Sequence, residues 1–238
     1  LARVARKPPL AYRRDEIHPE QILGGLIRRP SQQTRICPDS HGNCARIAVF
    51  GSIVVSSYCD FASGNAIHGP YHDLEYGFPL EDESRLFERL LLEINQAGLS
   101  WELMLKKREG FRRAYDGFDV DRVAAYGERD RARLLADPGI VRNRLKVNAA
   151  IENARTIQAL RASHGGFAGW LRAQHPLRKP DWVKLFRRTF RFTGGEITGE
   201  FLMSIGYLPS PHREDCPVYA MIARLQPPWL QVAPAFWR

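Results

Sequence analysis

From position 59 onward the apolar residues recur at helical spacing, and nowhere do they alternate with polar ones as in a half-buried strand. Residues 83–95 are the clearest case, because their large apolar side chains fall on one helical face. These side chains are Leu86, Phe87, Leu90, Leu91 and Ile94. A chain patterned in this way buries its core between helices. We therefore predict an all-α domain of many short helices.

Further segments carry the same periodicity and the signals that begin and end helices. They are residues 119–136, 140–162, 182–190 and 196–205. The first holds two short helices, of which one starts at Asp119 as an N-cap and the other ends before Asp137 and Pro138. The last is predicted to end at Gly206, because glycine accepts the left-handed conformation that commonly follows a helix.

The composition divides the chain into three parts. Residues 1–58 mix proline, arginine and polar residues without a period, so we predict a poorly ordered appendage. Residues 59–220 form the predicted helical domain, and residues 221–238 a C-terminal tail. Cys37 and Cys44 lie in the appendage, where surface cysteines are favoured over a metal-binding pair.

Charge and cysteine usage restrict the possible partners and the compartment. The net charge of +9 suggests an anionic partner such as nucleic acid, although five of these nine charges belong to residues 1–58 and fit a basic tail. Four cysteines in 238 residues are too few for a disulfide scaffold. The chain has no run of eighteen apolar residues. We expect a protein of a reducing, cytoplasmic compartment that does not engage membranes.

The segment "SPHREDC" supplies half of a metal-ligand pattern, His212 and Cys216. Cys59 and His72 are the candidates for the other half, and two thiolates with two imidazoles suit tetrahedral zinc. Such a site has no open position, so the zinc would be structural and would join the two ends of the domain. From spacing alone, the favoured alternative is a buried Cys216 and a hydrogen-bonded core His72.

Four blocks of the sequence favour the metal site over this alternative. They are "YHDLEYG" (71–77), "LLLEINQAGLSWELMLKKREGFRRAYDGFD" (90–119), "GIVRNRLKVNAAIENAR" (139–155) and "FRFTGGEITGEFLMSIGYL" (190–208). In this order they resemble the bacterial DNA-3-methyladenine glycosylase I family of helix-hairpin-helix glycosylases, over roughly residues 59–220. The resemblance implies a helix-hairpin-helix domain and a structural Zn²⁺ held by Cys59, His72, His212 and Cys216.

The resemblance also implies an activity, namely hydrolysis of the N-glycosidic bond of 3-methyladenine in double-stranded DNA, after the base is flipped into a pocket. Methylation at N3 makes the adenine cationic, so it favours aromatic faces and a carboxylate. Glu93 is the candidate carboxylate and catalytic residue. It follows Leu90 by three residues and Leu86 by seven, which places it on the apolar side of its helix, and the resemblance implies that it hydrogen-bonds the extruded base.

Three aromatic residues resemble the pocket walls of that family. Trp101 corresponds to the residue that stacks on the flipped base, and Tyr71 and Tyr76 to two further wall positions. Tyr76 is usually tryptophan in the family, so this wall is altered. Without the resemblance, each of the three reads equally well as ordinary core.

Gly194 and Gly195 precede a predicted helix, and backbone N–H groups at such a start bind a phosphate irrespective of sequence. With Arg191, they resemble the DNA-gripping hairpin of the family. Glu196 stands where the family usually has threonine, and an acid there competes with a phosphate.

We therefore predict a monomeric, monofunctional DNA repair glycosylase that acts on DNA containing alkylated bases. Two alternatives stay open at this point. The first is a protein of the same fold that binds alkylated DNA without cleaving it. The second is a zinc hydrolase with Glu93 as its base, which requires an open coordination position on the metal.

Overall fold

The computed structural model describes residues 57–238, and within them every regular element is helical, with no strand. The α-helices are α1 (Tyr58–Ala62), α2 (His68–Leu74), α3 (Glu83–Gln96), α4 (Trp101–Ala114), α5 (Val120–Ala124), α6 (Glu128–Ala136), α7 (Arg144–His164), α8 (Phe167–Gln174), α9 (Lys179–Thr189), α10 (Gly195–Ser204) and α11 (Pro217–Arg224). The all-α prediction is confirmed. The predictions for residues 1–56, including Cys37 and Cys44, lie outside the described residues.

The predicted helices are present, with shifts at their starts. α5 follows Asp119, whose carboxylate accepts from the N–H of Arg122 as predicted. α7 begins later than the apolar period indicated, because the Asn143 side chain caps it by accepting from the N–H groups of Leu145 and Lys146. Gly206 lies beyond α10 with φ +78°, the left-handed conformation expected of it.

Helix α3 is the centre of the domain and packs against α4, α7, α8 and α10. Leu86 and Leu90 are fully buried on it, and each such side chain contributes about 1.5–3 kcal/mol relative to exposure. The helix also buries polar and charged residues, namely Glu88, Arg89, Glu93 and Asn95. Burying a charged side chain is costly unless the charge is paired or binds a ligand. This face of α3 is therefore the candidate location of the functional site.

Helices α9 and α10 pack on each other and are joined by a short turn. The turn is clamped to α7 by Asn153, which is 1% exposed. Its side-chain oxygen accepts from the backbone N–H of Arg191 at 2.7 Å, and its amide donates to the Arg191 carbonyl at 3.1 Å. The start of α10 is thus held in a fixed place relative to the core.

The C-terminal residues pack onto the same body. The predicted domain boundary at residue 220 falls inside α11. Beyond that helix, the buried Trp229 donates its backbone N–H to the carbonyl of Gly206, and the Trp237 indole donates to the carbonyl of Trp229. Among residues 57–238, no helix combines the length and the apolar character needed to cross a lipid bilayer.

Candidate functional site

A cavity of about 290 Å³ opens beside α3 and is walled by four aromatic or amide side chains and two carboxyls, with a further tyrosine from α1. The lining residues are Tyr58, Tyr71, Tyr76, Glu93, Gln96, Trp101 and Glu200. They come from the first part of the described chain and from α10. The structure therefore brings together the predicted Glu93, Tyr71, Tyr76 and Trp101, which are apart in the sequence.

Glu93 is the most unusual group in the cavity. It is 3% exposed, and no other side chain or backbone group within residues 57–238 hydrogen-bonds its carboxyl. Burial raises its pKa to about 8, Arg89 acts in the opposite direction, and the charge of Glu200 raises it further. A buried carboxyl without a protein partner is suited to a ligand that brings a hydrogen-bond donor or a positive charge.

The aromatic residues form a nearly continuous wall. The ring centroids of Tyr71 and Trp101 lie 5.0 Å apart, and those of Tyr71 and Tyr76 lie 5.7 Å apart. Tyr58 meets Tyr76 edge-on at 5.5 Å. Burial raises the pKa of the Tyr71 and Tyr76 hydroxyls, so both remain neutral donors at physiological pH. Such a wall offers stacking faces to a flat ring.

A buried ion network supports the wall from behind. Arg89 donates to the hydroxyl of Tyr71 at 2.7 Å and to the Glu75 carboxylate at 3.0 Å. Arg108 donates to the same Glu75 and to Glu88. Because every charge in the network has an opposite partner, Tyr71 is held in one position at the pocket.

Two pocket residues were missed by the sequence reasoning. Tyr58 lies in the segment assigned to the appendage, yet it is the first residue of α1. Ser57 is the N-cap of that helix. Glu200 lies on α10, and its Oε2 accepts from the Tyr76 hydroxyl at 3.2 Å. Burial raises the pKa of Glu200, while Tyr76 and Lys179 oppose the shift. The aromatic ring beside Cys59 was the only sequence signal for Tyr58, and none marked Glu200.

A second cluster lies next to this cavity. The donor atoms of Cys59, His72, His212 and Cys216 all lie within 4.8 Å of one another, and all four residues are buried. His212 Nδ1 is 3.7 Å from either sulfur and 3.1 Å from His72 Nε2, while Cys216 Sγ is 3.8 Å from His72 Nε2. These separations resemble the edges of a tetrahedron of metal ligands, so the cluster could hold a metal ion.

The remaining ring nitrogens of the two histidines are also bonded. His72 Nδ1 donates to Asp73 at 2.7 Å, and His212 Nε2 donates to the carbonyl of Tyr76 at 2.8 Å. Such outer bonds fix the tautomer that presents the other nitrogen to a metal. The second bond also ties the cluster directly to a residue of the pocket wall.

The residues predicted to grip DNA lie at the start of α10 and just before it. Gly194 is the N-cap of the helix, and Gly195 is its first residue. A methyl group added at either would meet no protein atom within 4 Å, and neither has a positive φ. Arg191 is exposed beside them. Nothing inside the described chain requires glycine here, which leaves room for a group from outside.

Known proteins resemble this chain both in sequence and in structure. The sequence model of the methyladenine glycosylase family matches residues 61–181. DNA-3-methyladenine glycosylase 1 of Escherichia coli (strain K12) is 34% identical over an alignment of 180 positions that covers 68% of this chain and 96% of that protein. DNA-3-methyladenine glycosylase of Haemophilus influenzae is 31% identical over an alignment of 182 positions that covers 68% of this chain and 98% of that protein.

A solved structure of the same kind of enzyme is similar to this chain in fold. A Tyr-to-Phe variant of 3-methyladenine DNA glycosylase I in complex with 3-methyladenine superposes with a TM-score of 0.63 at 28% identity. The match covers 69% of this chain and 98% of that one.

Proposed function

Because the chain belongs to the methyladenine glycosylase family and is a glycosylase, we propose that it removes 3-methyladenine from alkylated double-stranded DNA by base flipping. The reaction is hydrolysis of the N-glycosidic bond, the first step of base excision repair. The observation that carries the proposal is the cavity in which the unpartnered Glu93 carboxyl faces an aromatic wall. A base cannot reach such a cavity from within a duplex, so it must leave the stack.

The pocket chemistry fits a cationic base. The flipped ring stacks on Trp101, beside Tyr71 and Tyr76, and its polar edge meets Glu93. Entry of a positive charge stabilises the ionised form of Glu93, whose pKa of about 8 in the empty pocket keeps it largely protonated near neutral pH. The ionised carboxylate then forms a charge-assisted hydrogen bond with the base. A neutral base gains no such bond, so the pocket favours alkylated adenine over adenine.

The turn between α9 and α10 is the proposed grip on DNA, as the hairpin of a helix-hairpin-helix. Backbone N–H groups at Gly194 and Gly195 bind a phosphate, and the absence of side chains there allows close approach. Arg191 adds positive charge on the same turn. Glu196 follows at 88% side-chain exposure and is 3.5 Å from Lys179 Nζ, which offsets its charge near the phosphate.

The Cys59, His72, His212 and Cys216 cluster is proposed to hold a structural Zn²⁺. Zinc–sulfur and zinc–nitrogen bonds of about 2.3 and 2.0–2.1 Å give tetrahedral edges of about 3.3–3.8 Å, close to the 3.1–3.8 Å found between most of the donor atoms. Zinc here would join α1 and α2 to the loop before α11. Four protein donors leave no position for a water, which argues against the zinc hydrolase alternative.

The test is chromatography of the free bases released from methylated DNA by the full chain and by Glu93→Gln. We expect 3-methyladenine from the intact chain and a sharp fall with the variant, because the amide cannot carry the negative charge that the cationic base requires. Glu109→Gln, which changes an exposed acid on α4, serves as the matched control.

Base release, measured together with binding to methylated DNA, separates the remaining alternative. If the intact chain binds methylated DNA but releases no base, it is a non-catalytic binder of alkylated DNA, and the proposed hydrolysis is wrong.

A further inference from the structure

The pocket contains a second carboxyl that the reaction described above leaves without a role. Glu93 is used to recognise the base, but the water that attacks the sugar still needs a group to orient it and to take its proton. Glu200 lines the same cavity as Glu93 and Trp101, from the opposite part of the chain. Everything inferred about it rests on the proposed glycosylase function.

The surroundings of the two carboxyls differ. Glu93 is 3% exposed, whereas Glu200 is half-buried and therefore accessible to solvent. One Glu200 oxygen accepts from the Tyr76 hydroxyl at 3.2 Å, and no hydrogen bond from residues 57–238 engages the other. Two carboxyls in environments of different depth are suited to different tasks, with the deeper one holding the base and the outer one meeting water.

The position of Glu200 along α10 relates it to the proposed phosphate site at the start of the same helix. It follows Gly195, where the phosphate is proposed to bind, by five residues, and five residues rise about 7.5 Å along a helix. One flipped nucleotide can span that length, with its phosphate at the helix start and its base in the cavity. In that arrangement the sugar would lie between these two points, and Glu200 is the carboxyl that α10 contributes to the cavity.

The charged groups around Glu200 keep it available as a base. Lys179 lies across Gly199, since a methyl group added at that glycine would meet Lys179 Cε at 2.6 Å, and its charge favours the ionised form of Glu200. The Tyr76 hydroxyl bond has the same effect. Burial and the neighbouring acid Glu196 act in the other direction, so that the pKa of Glu200 lies above its usual value. A carboxylate of raised pKa is a better proton acceptor than one in free solution.

We propose that Glu200 is a further catalytic residue, which orients the attacking water at the sugar and accepts its proton. In this step the bond between C1′ and N9 of the methylated base breaks, and its electron pair leaves with the base, whose positive charge is thereby neutralised. The water oxygen forms a new bond to C1′, and one of the water protons passes to Glu200. The carboxyl later returns that proton to solvent through the exposed side of the pocket.

The test is a single-turnover measurement of 3-methyladenine release from methylated DNA, with enzyme in excess, for the full chain and for Glu200→Gln. General base catalysis typically contributes about 10²–10⁴-fold. Because this base is already a good leaving group, we expect a fall in the rate constant of about tenfold or more, which is smaller than the usual contribution of a general base. Binding of free 3-methyladenine, followed by titration calorimetry, should stay within about twofold, because Glu93 and the aromatic wall are unchanged.

Two further variants keep the result interpretable. Glu200→Asp retains a carboxylate and should recover part of the rate that Glu200→Gln loses, which a packing defect would not allow. Glu81→Gln, at an exposed acid outside the cavity, should match the intact chain. If Glu200→Gln releases base as fast as the intact chain, Glu200 is not catalytic although the proposed function stands. If the intact chain itself releases no base, the proposed function and this inference both fall.

Discussion

Arg89 and Glu93 lie one turn apart on α3 and are both 3% exposed, yet only Arg89 has hydrogen-bonding partners in the described chain. The Arg89 guanidinium donates hydrogen bonds to the Tyr71 hydroxyl and to the Glu75 carboxylate. Burial raises the pKa of Glu93, and the positive charge of Arg89 offsets only part of that rise. The buried face of α3 thus carries a satisfied cation beside an unsatisfied acid, which is the arrangement expected where a ligand completes the pairing.

The raised pKa of Glu93 predicts how stability changes with pH. An unfolded glutamate ionises near pH 4.5, whereas the folded one ionises near pH 8. Stability contributed by the protonated form is therefore present below pH 4.5 and is lost as the pH rises to about 8, by up to about 5 kcal/mol. Glu93→Gln should be more stable than the intact chain at pH 9, with a much smaller difference at pH 5. Urea unfolding at the two pH values measures this, and an equal difference at both would contradict the assigned burial.

Removal of Arg89 should weaken the fold and the pocket together. Arg89→Met leaves the Tyr71 hydroxyl and one side of Glu75 without their donor, so we expect a loss of about 3 kcal/mol in unfolding free energy. Arg112→Met is the matched control, because Arg112 is 46% exposed at the edge of the same network and should cost less than about 1 kcal/mol. Urea unfolding of both variants decides the matter, and equal losses would mean that Arg89 is not a structural centre.

The glycines at the start of α10 should matter for DNA and not for folding. Gly194→Ala should weaken binding to a DNA duplex by about tenfold, because a methyl group obstructs the phosphate and its hydrogen bonds. Gly127→Ala is closely matched, since Gly127 is also an N-cap with no protein atom near an added methyl group. Both variants share the small cost of alanine at an N-cap, less than about 1 kcal/mol. Fluorescence anisotropy with labelled DNA compares them, and equal affinities would disprove the proposed grip.

Metal binding should stabilise the domain through Cys216. Cys216→Ser should lower the zinc content measured by mass spectrometry and reduce the unfolding free energy by about 4 kcal/mol or more, as expected for a ligand present at a thousand times its Kd. Cys44→Ser, at a cysteine predicted to lie outside any metal site, should change neither quantity. Retention of zinc by Cys216→Ser would show that the metal is held elsewhere.

Sequence patterns predicted the helices and the buried Glu93 better than they predicted the full set of residues that line the pocket. The spacing of Glu93 from Leu86 and Leu90 predicted a buried carboxyl, because periodicity alone decides which face of a helix is turned inward. The four cluster residues were favoured only once the family resemblance was added, because twelve residues between Cys59 and His72 and three between His212 and Cys216 are not diagnostic spacings. Their proximity is a tertiary fact, confirmed by the structure.

The residues that the sequence did not assign have two physical causes. Tyr58 was assigned to the appendage because composition changes gradually, whereas the first capped turn begins at Ser57. Glu200 belongs to the pocket only because α10 packs on α3, a contact between distant parts of the chain that no local pattern encodes. Arg89 falls on the apolar face by spacing, but its buried partners come from other segments.

The cluster of four donors joins residues that are 153 positions apart, from Cys59 near the beginning of the described chain to His212 near its end. Synthesis proceeds from the N-terminus, so the four-residue cluster cannot be complete until Cys216 has emerged from the ribosome. Tyr71 precedes His72 of this cluster in the sequence, and the carbonyl of Tyr76 accepts a hydrogen bond from His212. A chain truncated shortly before Cys216 would therefore keep the helices from α1 to α10 and still lack one of the four donors beside the pocket wall.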